Sequence, residues 1–101
     1  MLPIRWSPQA ADDLTRIVDF IRQDSTEAAR RVAATEIYHR AGGLEGFPNR
    51  GRPGRVEGTR ELPWRRFLSY ALAPLPFIVV YRVLEHGVEI SNILHGAQRW
   101  P

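Results

Sequence analysis

The sequence predicts an α+β fold in which a helical hairpin packs on one face of a small antiparallel sheet. Two observations predict it. Apolar residues recur at helical spacing through the first half of the chain, whereas β-branched and aromatic runs bounded by glycine and proline fill the second half. The resulting element order is strand, helix, helix, strand, strand, strand.

The first half contains one short strand and two helices. Pro3 to Trp6 is short and extended, so we interpret it as the first strand. Ser7-Pro8 then supplies an N-cap and a first helical residue, which predicts a helix over about 8–23 with Asp12 and Asp13 in its first turns. A second helix follows from Asp24 to about residue 45, where Gly42-Gly43 weakens its end. Its apolar side comprises Ala29, Ala33, Ile37, Ala41 and Leu44.

The second half is predicted to form the sheet. Two prolines and two glycines within 48–55 indicate an irregular loop, and a strand begins near Thr59. Pro74 and Pro76 punctuate the chain before the run 77–84, which is apolar enough to be a central strand buried on both faces. His86-Gly87 is a two-residue turn candidate. In the last strand Val88, Ile90 and Leu94 alternate with Glu89, Ser91, Ile93 and His95.

Composition bounds the chemistry. A chain of 101 residues with 44% apolar and 25% charged residues predicts one globular domain, spanning 1–101. All fourteen basic residues are arginine, and there is no cysteine, so lysine-based and thiolate catalysis are excluded. His39, His86 and His95 are widely spaced without an accompanying carboxylate cluster, so we expect no metal and no cofactor. We expect a cytoplasmic protein, because the chain has no cysteine and its start does not resemble a signal peptide. We expect no membrane partner, because no run approaches the roughly 20 apolar residues needed to span a bilayer.

Four short motifs in order resemble one family. They are Trp6-Ser7-Pro8-Gln9-Ala10-Ala11-Asp12-Asp13-Leu14; Gly51-Arg52-Pro53-Gly54 leading into Gly58-Thr59-Arg60-Glu61-Leu62; Pro76-Phe77-Ile78-Val79-Val80-Tyr81-Arg82-Val83; and Ile93-Leu94-His95-Gly96-Ala97-Gln98-Arg99-Trp100. Together they resemble the ParE/RelE superfamily of type II toxin-antitoxin toxins, on its ParE-like, plasmid-stabilisation branch. One departure is that residues 63–75 separate two motifs that are closer in near relatives, which we interpret as a longer hairpin or an extra turn.

The resemblance implies a macromolecular function with three alternatives. ParE-like members poison DNA gyrase and are neutralised by a ParD-like antitoxin. They contact DNA only indirectly, through that antitoxin. RelE-like members cut mRNA in the ribosome. A non-toxic member would only bind its antitoxin and regulate its operon. The ParE-like alternative is favoured because the terminal region has no tyrosine or lysine for proton transfer, which makes an enzyme the less favoured choice.

Candidate site residues follow from these alternatives. For a nuclease, Arg60 and Arg82 would bind phosphate and His95 would carry protons, although cross-strand pairing with Glu61, Glu85 or Glu89 would also explain the arginines. Phe20 and Tyr38 fall off the main apolar stripes, so they either fill gaps in the hairpin or anchor an antitoxin helix. The antitoxin-binding candidates are Leu14, Ile17, Phe20, Ile21, Ile37 and Tyr38. The target-contact candidates are Arg50, Arg52, Arg55, Arg65, Arg66, Arg99 and Trp100.

Overall fold

The computed structural model describes residues 3–22, 27, 37–67 and 74–95. Within them lie two helices and five strands. The helices are α1 (Pro8–Arg22) and α2 (Tyr38–Gly42), the latter followed by a 3-10 turn at Gly43–Glu45. The strands are β1 (Ile4–Trp6), β2 (Arg52–Pro53), β3 (Arg60–Phe67), β4 (Pro74–Leu84) and β5 (Gly87–His95). The predicted α+β class and element order are confirmed, and the predicted start of the second helix at Asp24 lies outside the described residues.

The sheet has the order β1-β5-β4-β3-β2, and it differs from the prediction in two details. It is mixed rather than purely antiparallel, because β1 runs parallel to β5 with Ile4 opposite Val88. The predicted loop 48–55 also contains β2, which adds to the sheet with Arg52 opposite Glu61. Pro53 is tolerated because this strand lies at the sheet edge, where its missing amide leaves no inner partner unsatisfied.

Helix α1 begins as predicted. Ser7 is its N-cap, because the Ser7 Oγ accepts a hydrogen bond from the Ala10 amide at 3.0 Å. The same hydroxyl donates to the Ser91 carbonyl at 2.9 Å, so the cap also ties the helix start to β5.

Asp13 has a different role from the predicted one. No acidic residue lies in the first turn of α1, and Asp13 is buried against β5. Its carboxylate accepts hydrogen bonds from the Ile93 amide at 2.9 Å and Asn92 Nδ2 at 3.2 Å. It also accepts from Gln9 and Arg16 on its own helix. The carboxylate therefore fastens α1 to β5 instead of complementing the helix dipole.

A bulge in β5 breaks the predicted alternation. Val80 lies opposite Asn92 whereas Tyr81 lies opposite Ile90, so Ser91 is the extra residue. Ile90 and Ile93 both join the core as a result, although an unbroken strand would put them on opposite faces. The bulge also turns the Ile93 amide toward Asp13.

The β3–β4 hairpin is longer than the family motifs suggest, as one of the two sequence interpretations predicted. Pairing continues to Phe67 opposite Pro74, and residues 68–73 lie outside the described range. Pro74 and Pro76 belong to β4 instead of ending the chain segment before it. Beyond Phe77, where the pairing with β5 stops, β4 has one described neighbour, and such positions accept proline. The final turn is Glu85-His86, one residue earlier than predicted, and β5 begins at Gly87.

The core lies between the helices and the sheet. Its buried helical members are Ala10, Ile17, Ile37, Ala41 and Leu44, and its strand members include Leu62, Phe77, Val79, Tyr81 and Ile90. Val79 and Val80 are both fully buried, which confirms that the centre of β4 is covered on both faces. In the described part of the chain, neither helix is long and apolar enough to cross a membrane.

Candidate functional site

Glu61 is the centre of a buried polar cluster beneath the loop before β3. Only 1% of its side chain is exposed. Its carboxylate accepts from Arg52 Nη2 at 3.1 Å, from the Arg55 backbone amide at 3.0 Å and from Arg55 Nε at 3.3 Å. Burial raises the pKa of Glu61, but hydrogen bonds from Arg55 and Arg52 and the Arg55 charge outweigh burial, so the pKa lies below its ordinary value. Glu61 therefore stays ionised and holds the loop.

Tyr81 holds the same loop from the core side. Its ring is fully buried, while its hydroxyl donates to the Pro48 carbonyl at 2.7 Å and accepts from the Gly51 amide at 2.8 Å. Burial raises the pKa of Tyr81 above its ordinary value, so the hydroxyl keeps its proton throughout the neutral range. One side chain thus satisfies both ends of the segment 48–51.

Arg60 completes the cluster. Its guanidinium donates to the Gly51 carbonyl at 2.6 Å and to the Asn49 carbonyl at 3.4 Å. The loop 48–55 is therefore fixed by two arginine–carboxylate pairs, a tyrosine hydroxyl and an arginine that binds backbone oxygens. This cluster orders a surface loop. The guanidinium groups of Arg52, Arg55 and Arg60 and the carboxylate of Glu61 already bind other groups of the protein.

We expect Gly51→Ala to destabilise this cluster by about 1–3 kcal/mol. A Cβ at residue 51 would lie 2.7 Å from the Tyr81 hydroxyl and 2.8 Å from the Glu61 carbonyl, so the loop or the tyrosine must move. Urea unfolding measures the change. The matched control is Gly46→Ala, just before the loop, where nothing lies within 4 Å of the added carbon. Equal stability of the two variants would contradict the close packing of Gly51 on Tyr81.

An aromatic pair is present at the β1 edge. The rings of Trp6 and Tyr38 stack with centroids 5.7 Å apart and an interplanar angle of 8°. Trp6 is half-buried against the core, whereas Tyr38 is 60% exposed. Tyr38 therefore presents a large aromatic surface whose orientation is held by its neighbour.

The other antitoxin-binding candidates are less accessible or are not described. Ile17 and Ile37 are core residues, and Leu14 packs against that core, so their burial argues against direct contact with a partner. Phe20 and Ile21 lie on α1, and their side chains are outside the described set.

The nuclease candidates do not converge in the described structure. Arg60 lies opposite Tyr81, so Arg82, the next residue along β4, faces the other side of the sheet. His95 lies opposite Phe77, four residues along β4 from Tyr81, which is roughly 13 Å at about 3.3 Å per residue. The strands are neighbours as predicted, but the geometry offers Arg60 and Arg82 no common phosphate. Among the described residues there is also no cluster of three metal-ligating side chains.

Comparison with known families decides the assignment. The family model of the ParE toxin of the type II toxin-antitoxin system parDE matches residues 4–100. The chain belongs to the ParE toxin family. This membership confirms the resemblance inferred from the four motifs.

Relatives of this ParE-family toxin align along nearly its whole length. A Sinorhizobium fredii protein whose name describes it as a toxin, Y4kP, is 39% identical over 98 residues, covering 97% of this chain and 92% of the relative. Toxin RelE2 of Caulobacter vibrioides is 34% identical over 98 residues, covering 97% and 99% of the two chains. A solved chain of the chromosomal ParDE system from P. aeruginosa superposes with a TM-score of 0.74 at 28% identity, covering 94% of this chain and 96% of that one.

The predicted target-contact arginines of this ParE-family toxin have different environments. Arg52 and Arg55 are held by Glu61 with about half of each side chain exposed, at 55% and 48%. Arg50 is exposed beside them. Arg65 and Arg66 lie in β3 without described side chains, and Arg99 and Trp100 are outside the described residues.

The sequence did not reveal the roles of Asp13 and Tyr81 in the ParE-family toxin. No local pattern marks either role, because Asp13 accepts from the Ile93 amide 80 residues away and Tyr81 donates to the Pro48 carbonyl 33 residues away. Phe47 is the most exposed of the large apolar residues described.

Proposed function

We propose that this ParE-family toxin inhibits DNA gyrase in the bacterial cytoplasm and is neutralised by a ParD-like antitoxin. The proposed mechanism is occupancy of a protein surface, without bond chemistry in the toxin. Family membership supports the gyrase target, since the resemblance to the ParE-like branch implies it. The likeness to a chain from a ParDE system supports the antitoxin.

The observation that carries the proposal is that the arginine side chains bind other groups of the protein and do not converge on one point. Arg52, Arg55 and Arg60 donate to Glu61 or to loop carbonyls, so their guanidinium groups stabilise the fold. A ribonuclease needs cationic groups directed at one phosphate and a proton-transfer group within about 3 Å of it. Arg60 and Arg82 face opposite sides of the sheet, which favours the gyrase alternative over the ribosomal one.

The direct test is a supercoiling assay with purified gyrase and purified toxin. We expect inhibition that increases with toxin and disappears when the cognate antitoxin is added at equal concentration. Translation of a reporter message in a purified ribosomal system should continue without cleavage. Normal supercoiling at a large molar excess of toxin, together with cleaved message, would replace this proposal with the ribosomal one.

We further propose that Tyr38, stacked on Trp6, anchors the antitoxin. Exposed aromatic residues held in one orientation commonly dominate interfaces. Tyr38→Ala should weaken antitoxin binding by about tenfold or more, corresponding to roughly 1.4 kcal/mol or above. Titration of labelled antitoxin measures it, with Leu84→Ala as a control because Leu84 is a second exposed apolar residue, 44% exposed, on β4. Unchanged affinity in Tyr38→Ala would remove this residue from the interface.

A further inference from the structure

A cavity of about 430 Å³ opens at the end of the sheet where β4 turns into β5. Arg5 lines it from β1 and Leu84 lines it from β4. Ile4 and Trp6 pack against the core, so Arg5 between them points to the opposite face of the sheet. The cavity therefore lies on the face turned away from α1 and α2.

The two sides of the cavity carry matching groups. Because β5 lies between β1 and β4 in the sheet, Pro3 and Arg5 are on one side of the cavity and Leu84 and Glu85 are on the other. The two sides are two strand spacings apart, which is roughly 10 Å at about 4.8 Å per spacing. Each side thus has one apolar residue and one charged residue, and the two charges are opposite in sign.

All four of these groups are accessible to a partner. Pro3 is exposed and Leu84 is 44% exposed. The Arg5 side chain is 75% exposed, and one of its nitrogens donates to Glu89 at 3.3 Å. The Glu85 side chain is 87% exposed, and its ion pair with His86 is 3.9 Å long, which exceeds a hydrogen bond.

The arrangement of charge favours a second copy of this chain over other occupants. A nucleic acid would bring its phosphates against the carboxylates of Glu85 and Glu89. A partner of either sign meets a like charge on one side of the cavity, whereas a second copy offers both signs. A two-fold axis through the cavity exchanges its two sides, so Arg5 of each copy meets Glu85 of the other.

We propose that the toxin forms a symmetric dimer through this cavity. Leu84 of each copy packs on Pro3 of the other copy, and Arg5 of each copy pairs with Glu85 of the other. The proposed antitoxin anchor, Tyr38, stacks on Trp6 at the core face of the sheet, so the dimer leaves it accessible. An interface built around one cavity is small, so the dimer should dissociate on dilution through the micromolar range.

Sedimentation equilibrium of the purified full chain over a dilution series measures this association. The mean mass should rise with concentration from the 11.6 kDa of one chain toward twice that value. Arg5→Glu and Glu85→Arg should each raise the dissociation constant at least about tenfold, because each places like charges in contact across the axis. Leu84→Asp should have a similar effect. Asp19→Arg, which changes an exposed carboxylate on α1, should match the wild type.

Mixing the two charge-reversed variants tests the pairing itself. In a dimer of one Arg5→Glu chain and one Glu85→Arg chain, both contacts again join opposite charges. The equimolar mixture should therefore regain the wild-type dissociation constant within about threefold, whereas loss of the fold in either variant would not be reversed by mixing. A wild type that stays monomeric at roughly millimolar concentration would overturn the proposal. A dimer unaffected by Leu84→Asp, or a mixture that stays monomeric, would overturn it equally, and none of these outcomes depends on gyrase.

Discussion

Asp13→Ala should lower the free energy of unfolding by about 2–4 kcal/mol. The carboxylate accepts from the Ile93 amide and Asn92 at the β5 bulge, and from Gln9 and Arg16 on its own helix. Truncation leaves the buried Ile93 amide without an acceptor and leaves a small cavity at the contact between α1 and β5. Urea unfolding followed by circular dichroism measures the loss.

Two neighbours provide the controls for Asp13. Asp12→Ala changes an exposed carboxylate on the same helix and should alter stability by no more than about 0.5 kcal/mol. Arg16→Ala should also have a small effect, because the Arg16 side chain is 68% exposed and its ion pair is screened by solvent. Similar values for Asp13→Ala and Asp12→Ala would show that the carboxylate does not hold α1 on the sheet.

Glu61→Gln should reduce stability at neutral pH by about 1–3 kcal/mol. The change removes the negative charge that binds Arg52 and Arg55. It also places an amide N–H donor against the N–H donors of these two arginines. The two guanidinium groups are about half exposed, so screening reduces the ion-pair contribution. Most of the loss should come from the hydrogen bonds to the buried carboxylate.

The same group predicts a dependence on pH. The pKa of Glu61 is lowered in the folded state from a reference value of 4.5, so the native state binds its proton less readily than the unfolded chain. Its stabilising contribution is therefore complete above pH 4.5 and is lost as the pH falls through the lower folded pKa. The free energy of unfolding of the wild type should decline over that acid range. In Glu61→Gln, this part of the pH dependence should be absent. The matched control is Glu57→Gln, which changes an exposed carboxylate shortly before β3.

Local signals explain which elements could be predicted. Ser7 and Pro8 mark a helix start through their own chemistry, and the apolar run 77–84 identifies a central strand without knowledge of its neighbours. The parallel pairing of β1 with β5 was not predictable in this way, because it joins residues about 84 positions apart. Neither strand has a local sequence pattern that specifies its partner. The same holds for Asp13, whose partners lie 79 and 80 residues away.

The site follows the same division. The arginines in a glycine- and proline-rich loop suggested a basic surface. Whether each arginine is available to a partner depends on its pairing with Glu61. The residue pattern of β3 does not show that Glu61 is buried beneath that loop. The bulge at Ser91 likewise exchanges the faces of later residues, so a regular alternation misplaced Ile93. Phe47 is the converse case, since its exposure became evident only when the core around it was complete.

The bonds from Tyr81 to Pro48 and Gly51 span 33 and 30 residues. The ribosome therefore synthesises the segment 48–51 before the Tyr81 hydroxyl that holds it. A nascent chain that ends ahead of β4 contains the loop 48–55 but lacks the tyrosine that orders it. We therefore expect the loop to take its folded conformation only once β4 has been made and has paired.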